Sequence, residues 1–146
     1  MTLRKRTRKI FIAVAMFLTL FVNGANAQER TTDYSKLINA IGQVESGMND
    51  KAISGGHAGF LQISKICVED CNRINKMKGK TTRYTLQDRF DHEKSIEMFY
   101  IIQEFYNKDN DIDYAILLWN EGCSAMKKPK RQTNYYNKVM KHYKEQ

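Results

Sequence analysis

Ile41-Gly-Gln-Val-Glu-Ser-Gly47 is the stretch on which the reading of this chain turns. Upstream of it, Tyr34, Leu37, Ile38, Ile41 and Val44 recur at three- and four-residue spacing, the period of an amphipathic helix. Asp33 is placed to cap that helix at its start, and Gly47 to stop it. Glu45 follows Ile41 by four residues and Ile38 by seven, so its carboxylate lies on the apolar face and in the last turn. Burial among apolar groups and the negative end of the helix dipole both oppose ionisation there. A carboxyl that keeps its proton near neutral pH is what a general acid requires. A glutamate that only edges a core and reaches out to water is the plainer alternative, and the helical wheel does not separate the two.

Outward from this helix, the rest of the chain is also predominantly helical. Residues 48–63 are rich in Gly, Ser and Asn and read as a loop with room for a short hairpin. Ser64 is placed to begin a second helix reaching about Met77, and a basic, polar connection covers residues 78–87. Asp91 is placed to cap a long helix in which Ile96, Phe99, Ile102, Phe105 and Tyr106 keep helical spacing. Asp111 or Asp113 opens a shorter helix through Trp119, and Thr133 to Tyr143 makes the last. The expected fold is one small, mainly α domain with at most a short β-hairpin.

The first 27 residues have a different character. Arg4, Lys5, Arg6, Arg8 and Lys9 form a basic head, Ile10 to Val22 is apolar except for Thr19, and Ala25-Asn26-Ala27 is a small-x-small triplet. These are the three parts of a cleavable secretory signal. A membrane anchor is the competing reading, but the apolar run is shorter than the roughly 20 residues of a spanning helix. The expected division is therefore a signal peptide over 1–27 and the domain over 28–146, with no integral span after cleavage. The chain is accordingly expected to be exported, to the periplasm or beyond the cell.

Charge follows the same division. The whole chain carries 24 Lys+Arg and 16 Asp+Glu; five of the basic residues and none of the acidic ones lie before residue 28, which leaves +3 on the mature part. That excess favours an anionic polymer such as a cell wall. It is too small, and too little interleaved with aromatics, to indicate nucleic acid. The run Lys127-Lys128-Pro129-Lys130-Arg131 reads as a solvated loop that can also face an anionic wall. Of the three cysteines, Cys123 pairs more readily with Cys67 or Cys71 than those two pair with each other, since they stand four apart on a helix. Three free thiols are an equal alternative. Zinc held by Cys67, Cys71 and His57 lacks a fourth ligand, so no metal is expected.

Several short motifs then stand in order. Glu45-Ser46, Asn49, Ala52 and Ser54 are followed by Gly59-Phe60-Leu61-Gln62-Ile63, then by Ala115-Ile-Leu-Leu-Trp-Asn-Glu-Gly122, and last by Thr133 to Met140 with Tyr136 and Val139. This series resembles the E-S-x-x-N-x-x-A-x-S, G-L-x-Q, A-L-x-x-Y-N-x-G and T-x-x-Y-x-x-x-V motifs of soluble lytic transglycosylases, relatives of goose-type lysozymes. The resemblance runs over about residues 35–143. It implies a lysozyme-like fold with a substrate cleft between helical lobes, and peptidoglycan glycan strands as the substrate. It implies Glu45 as the catalytic acid, Ser46 holding substrate beside it, Gln62 and the backbone of Gly59 and Phe60 lining sugar subsites, and Trp119 and Asn120 across the cleft. It also implies a reaction that needs no cofactor: one carboxylate cleaves the bond and the muramyl C6 hydroxyl closes a 1,6-anhydro ring.

The chain departs from the family pattern in places. Trp119 stands where the family usually has tyrosine, which removes a phenol expected near Glu45; an indole N–H donates but does not accept. Glu121 replaces a small residue, and Ser95 stands where asparagine is common. Asp50, Glu69, Asp70 and Glu121 are the candidate second carboxylates for a hydrolytic muramidase. A non-catalytic wall-binding or assembly protein is the reading from another class, although an acid on an apolar face serves no purpose in binding alone. His57 can reach substrate or stay solvated, and Tyr135, Tyr136 and Tyr143 can stack on sugars, although the helical spacing of Tyr136 and Tyr143 also places those two in the core. The sequence carries no signal for protein partners.

Overall fold

The computed structural model describes residues 32–122 and 133–146. The basic and apolar N-terminal segment, Cys123 and the Lys127–Arg131 run lie outside the described residues. Helix α1, Ser35–Ser46, begins where the Asp33 carboxylate accepts the Ser35 N–H at 2.9 Å. It buries Leu37, Ile38, Ala40 and Ile41 and stops at Gly47, whose φ of 63° is left-handed. The Gly47 and Met48 N–H groups then donate back to Gln43 and Gly42, satisfying the last carbonyls of the helix.

Strands β1, Ile53–Ser54, and β2, His57–Ala58, form an antiparallel hairpin with Ile53 opposite Ala58 and Ser54 opposite His57. Its turn is Gly55-Gly56, both at positive φ, as a tight hairpin demands. Helix α2, Lys65–Met77, is capped by Ser64, which accepts the Cys67 N–H. Helix α3, His92–Tyr106, is capped by Asp91, helix α4, Ile112–Glu121, by Asp111, and helix α5, Asn134–Lys144, by Thr133. Each cap is a short polar side chain offering an oxygen to an N–H that the helix leaves unpaired.

One element is absent from the sequence reading. Residues Leu86–Phe90, inside and beyond the expected connection, wind into a 3-10 turn, η1. Asp88 accepts both the Thr85 N–H, at 2.6 Å, and the Thr85 hydroxyl, at 2.9 Å, so this cap is side-chain chemistry without any apolar period to reveal it. Helix α4 also runs two residues past Trp119.

Helix α1 packs against α5, α2 against α3, α3 against η1, and α4 against α5. The shared core holds Leu37, Ile41, Phe60, Leu61, Phe99, Ile116 and Val139, each with almost no exposure. Asn107, buried at the end of α3, donates to the Asp111 carbonyl at 2.9 Å and accepts the Asp111 N–H at 3.0 Å, which fixes the turn into α4. The result is a mainly helical, small lysozyme-like domain with one two-stranded sheet. Among the described residues, no helix is long and apolar enough to cross a membrane.

Candidate active site

The end of α1, the hairpin loop, α2 and the end of α4 enclose a cleft of about 330 Å³. Glu45, His57, Gln62, Trp119 and Asn120 line it together, along with Ile66, Asp70 and Tyr106. Glu45 is half-buried in the last turn of α1, which settles between the two placements that the helical wheel left open. Burial raises the pKa of its carboxyl; a hydrogen bond from Tyr135 and the charge of His57 act in the opposite direction. The Tyr135 hydroxyl donates to Glu45 Oε1 at 2.7 Å, and that phenol is itself pushed up, by burial first and by the Glu45 charge second.

Tyr135 comes from the first turn of α5, ninety residues along the chain from Glu45. The sequence reading offers it only as a sugar-stacking residue. The signal it leaves is indirect: Trp119 removes one phenol from the expected site, and Tyr135 brings another. Trp119 itself is committed to structure. Its indole N–H donates to the Leu61 carbonyl at 3.1 Å, and its ring lies 4.9 Å from that of Phe99. It therefore forms an apolar cleft wall and ties α4 to the loop that carries Gln62.

That loop is held under backbone constraint. Gln62 adopts a left-handed φ of 50°, uncommon outside glycine, while its side-chain amide donates to the Gly59 carbonyl at 2.8 Å. Gly59, at φ 78°, sits so close to η1 that a Cβ there would lie 1.7 Å from the Arg89 carbonyl oxygen. Ser95, fully buried on α3, donates to that same carbonyl at 3.1 Å. The Arg89 guanidinium reaches the carbonyls of Gly56 at 3.1 Å and Ile63 at 3.2 Å, one at the hairpin turn and one at the end of the loop.

A family model described as the transglycosylase SLT domain matches residues 23–141. The chain belongs to this family. No curated protein and no solved structure gives a match. At family level the SLT domain carries lytic-transglycosylase-type action on peptidoglycan, a polymer that lies outside the cytoplasm.

Within the SLT domain the expected site residues divide into two sets. Glu45, Gln62, Trp119 and Asn120 meet at the cleft. Ser46, Gly59 and Phe60 lie behind its lining and shape it. The Ser46 hydroxyl donates to the Phe60 carbonyl at 2.9 Å and accepts the Asn49 N–H at 3.0 Å, which pins the end of α1 to the loop. Phe60 is fully buried, with the His92 ring stacked on it at 4.0 Å, and it fits because Gly42 offers no Cβ in its path.

The four other carboxylates of interest are also placed by the SLT domain. Asp50 pairs with His92 Nδ1 at 2.8 Å and is not among the cleft-lining residues. Glu69 faces solvent beside Lys65, and Glu121 stands outside the lining. Asp70 does line the cleft, but Arg73 and Tyr106 already engage both of its oxygens. Cys67 and Cys71 are free thiols, the first on the cleft wall and the second buried.

Proposed function

We propose that the protein is an exported lytic transglycosylase that cleaves the β-1,4 bond between N-acetylmuramic acid and N-acetylglucosamine, with Glu45 as the single acid and base. The observation that carries this reading is a half-buried carboxyl of raised pKa, bonded to a phenol, in a cleft whose other described carboxylate is engaged by an arginine. A glycosidase working with two carboxylates needs a second one free to activate water or attack the sugar. Asp70, held by Arg73 and Tyr106, is poorly suited to that role, which supports the one-carboxylate route over hydrolysis.

In this mechanism the Glu45 carboxyl gives its proton to the glycosidic oxygen as the C1–O bond breaks. The muramyl N-acetyl oxygen closes on C1 and carries the positive charge. The Glu45 carboxylate then takes the proton from the C6 hydroxyl of the same sugar, and O6 displaces the acetamido oxygen from C1. Glu45 ends protonated, the products are an anhydro-muramyl end and a free hydroxyl, and no water is consumed. Tyr135 holds the carboxylate in place between the two proton transfers and stabilises its charge. Trp119 supplies an apolar wall for a sugar face, and Gln62 and Asn120 supply polar groups at the cleft. Residues 1–27 direct export and are removed.

The test is mass spectrometry of fragments released from purified peptidoglycan by the protein and by a Glu45→Gln variant. Anhydro-muramyl ends that vanish in the variant are the expected result. Reducing muramyl ends would establish hydrolysis instead. No fragments from folded protein would point to a binding or assembly role.

A further inference from the structure

The cleft carries a second set of groups that the acid–base chemistry does not use. Helix α2 presents Ile66, Asp70, Arg73 and Met77 at intervals of four, three and four residues, a single stripe along one face. Ile66 and Asp70 line the cleft. Ile66 and Met77 are 76% and 63% exposed, among the most open large apolar side chains of the domain. Between them stands a fixed charged group. Arg73 donates to Asp70 Oδ1 through Nε and Nη2, each at 2.7 Å, and to the Tyr106 hydroxyl at 2.9 Å. Tyr106 in turn donates to Asp70 Oδ2 at 2.8 Å, and the guanidinium lies over the Phe105 ring. The remaining arm, Nη1, rests on the Met77 sulfur at 3.0 Å, a weak acceptor that an anion readily replaces.

A glycan strand offers hydroxyl and acetamido groups and no charge, so it has no use for a preoriented guanidinium flanked by bare apolar side chains. The muramyl sugar, however, bears a stem peptide with carboxylates and alanyl methyl groups. The charge around the stripe suits it: residues 65–83 hold six Lys or Arg against two Asp or Glu. We propose that the Ile66–Asp70–Arg73–Met77 stripe is a stem-peptide subsite continuous with the glycan cleft. Arg73 Nη1 takes a peptide carboxylate in place of the Met77 sulfur, while Asp70 and Tyr106 hold the guanidinium in plane. Ile66 and Met77 cover the peptide's methyl groups. The inference rests on the proposed function in that the glycan portion must occupy the cleft.

The test reads binding and not turnover. In protein carrying Glu45→Gln, calorimetric titration compares a disaccharide–tetrapeptide released from the wall with the same disaccharide after its peptide has been removed. The peptide-bearing ligand is expected to bind about tenfold more tightly, the scale of one added charge-assisted contact. Arg73→Gln should bring the two affinities together, and Arg73→Lys should leave part of the difference, with thermal melts showing that both variants fold. Equal affinities in the Arg73 protein, no binding of the peptide-bearing ligand, or a preference that survives Arg73→Gln would each overturn the subsite. Because no catalysis is measured, a peptide preference in a protein that releases no wall fragments would count against the proposed function alone.

Discussion

Burial raises the pKa of the Glu45 carboxyl, and the Tyr135 hydroxyl and the His57 charge pull the other way. Since the acid must be protonated to begin the reaction, kcat/KM should fall as pH rises through this raised pKa. Tyr135→Phe removes a donor that favours the charged carboxylate, so the alkaline limb of the profile should move to higher pH. The same change should lower kcat by roughly 10- to 100-fold, the worth of one hydrogen bond to a charged group. A rate loss with the pH profile unmoved would leave Tyr135 a packing role only. Glu45→Gln should reduce turnover by about 10²- to 10⁴-fold, the usual contribution of a general acid. It should also change stability with a definite sign. A carboxyl whose pKa is raised by folding stabilises the fold fully below its unfolded value and loses that contribution as pH rises through the folded one. Glu45→Gln should therefore melt higher than the parent near pH 7, with the advantage gone below about pH 4, where both states of the parent are protonated.

The loop between α1 and α2 works as one element because η1 holds it from outside. Arg89 contributes twice, its guanidinium bonding the carbonyls of Gly56 and Ile63 and its own carbonyl lying against Gly59. Gly59→Ala sets a Cβ into that carbonyl and forces an unfavourable left-handed φ, so it should cost roughly 2–5 kcal/mol in chemical denaturation. Arg89→Met removes the two carbonyl contacts and leaves the acid untouched. It should raise KM more than it lowers kcat on soluble glycan, because Gln62 and His57 ride on the loosened loop. Equal effects on both constants would mean the loop takes no part in binding. The glycines of this loop are plain in the sequence; the reason Gly59 must be glycine is not, since the oxygen it admits belongs to a residue thirty positions later whose 3-10 turn has no apolar period.

Across the whole molecule, the site exists because the first and last described helices lie together. Helix α5 contributes Val139 to the core and Tyr135 to Glu45, so a chain ending at Asn134 should lose its cooperative melt along with its activity. Circular dichroism on heating checks the first and wall digestion the second. If the N-terminal segment is the proposed export signal, protein recovered from the culture medium or periplasm should begin at Gln28 on N-terminal sequencing, and material beginning at Met1 would argue for an uncleaved anchor.

Local pattern was sufficient for the helices of this protein, because capping and apolar spacing act within a few residues of the chain. Ser64, Asp91, Asp111 and Thr133, all placed at helix starts by the sequence, each accept a backbone N–H there, whereas helix α1 starts one residue after Asp33, at an N-cap Tyr34 that makes no side-chain cap bond. The placement of Glu45 on an apolar face is of the same kind, since a helix fixes the direction of every side chain relative to its neighbours. Tertiary structure alone decided what Glu45 meets there. The Tyr135 phenol, the binding of Asp70 to Tyr106, and the turning of Ser46 toward the Phe60 carbonyl all join residues whose separation carries no periodic signal. Such contacts are set by how the helices pack, and packing depends on the shape of every face at once.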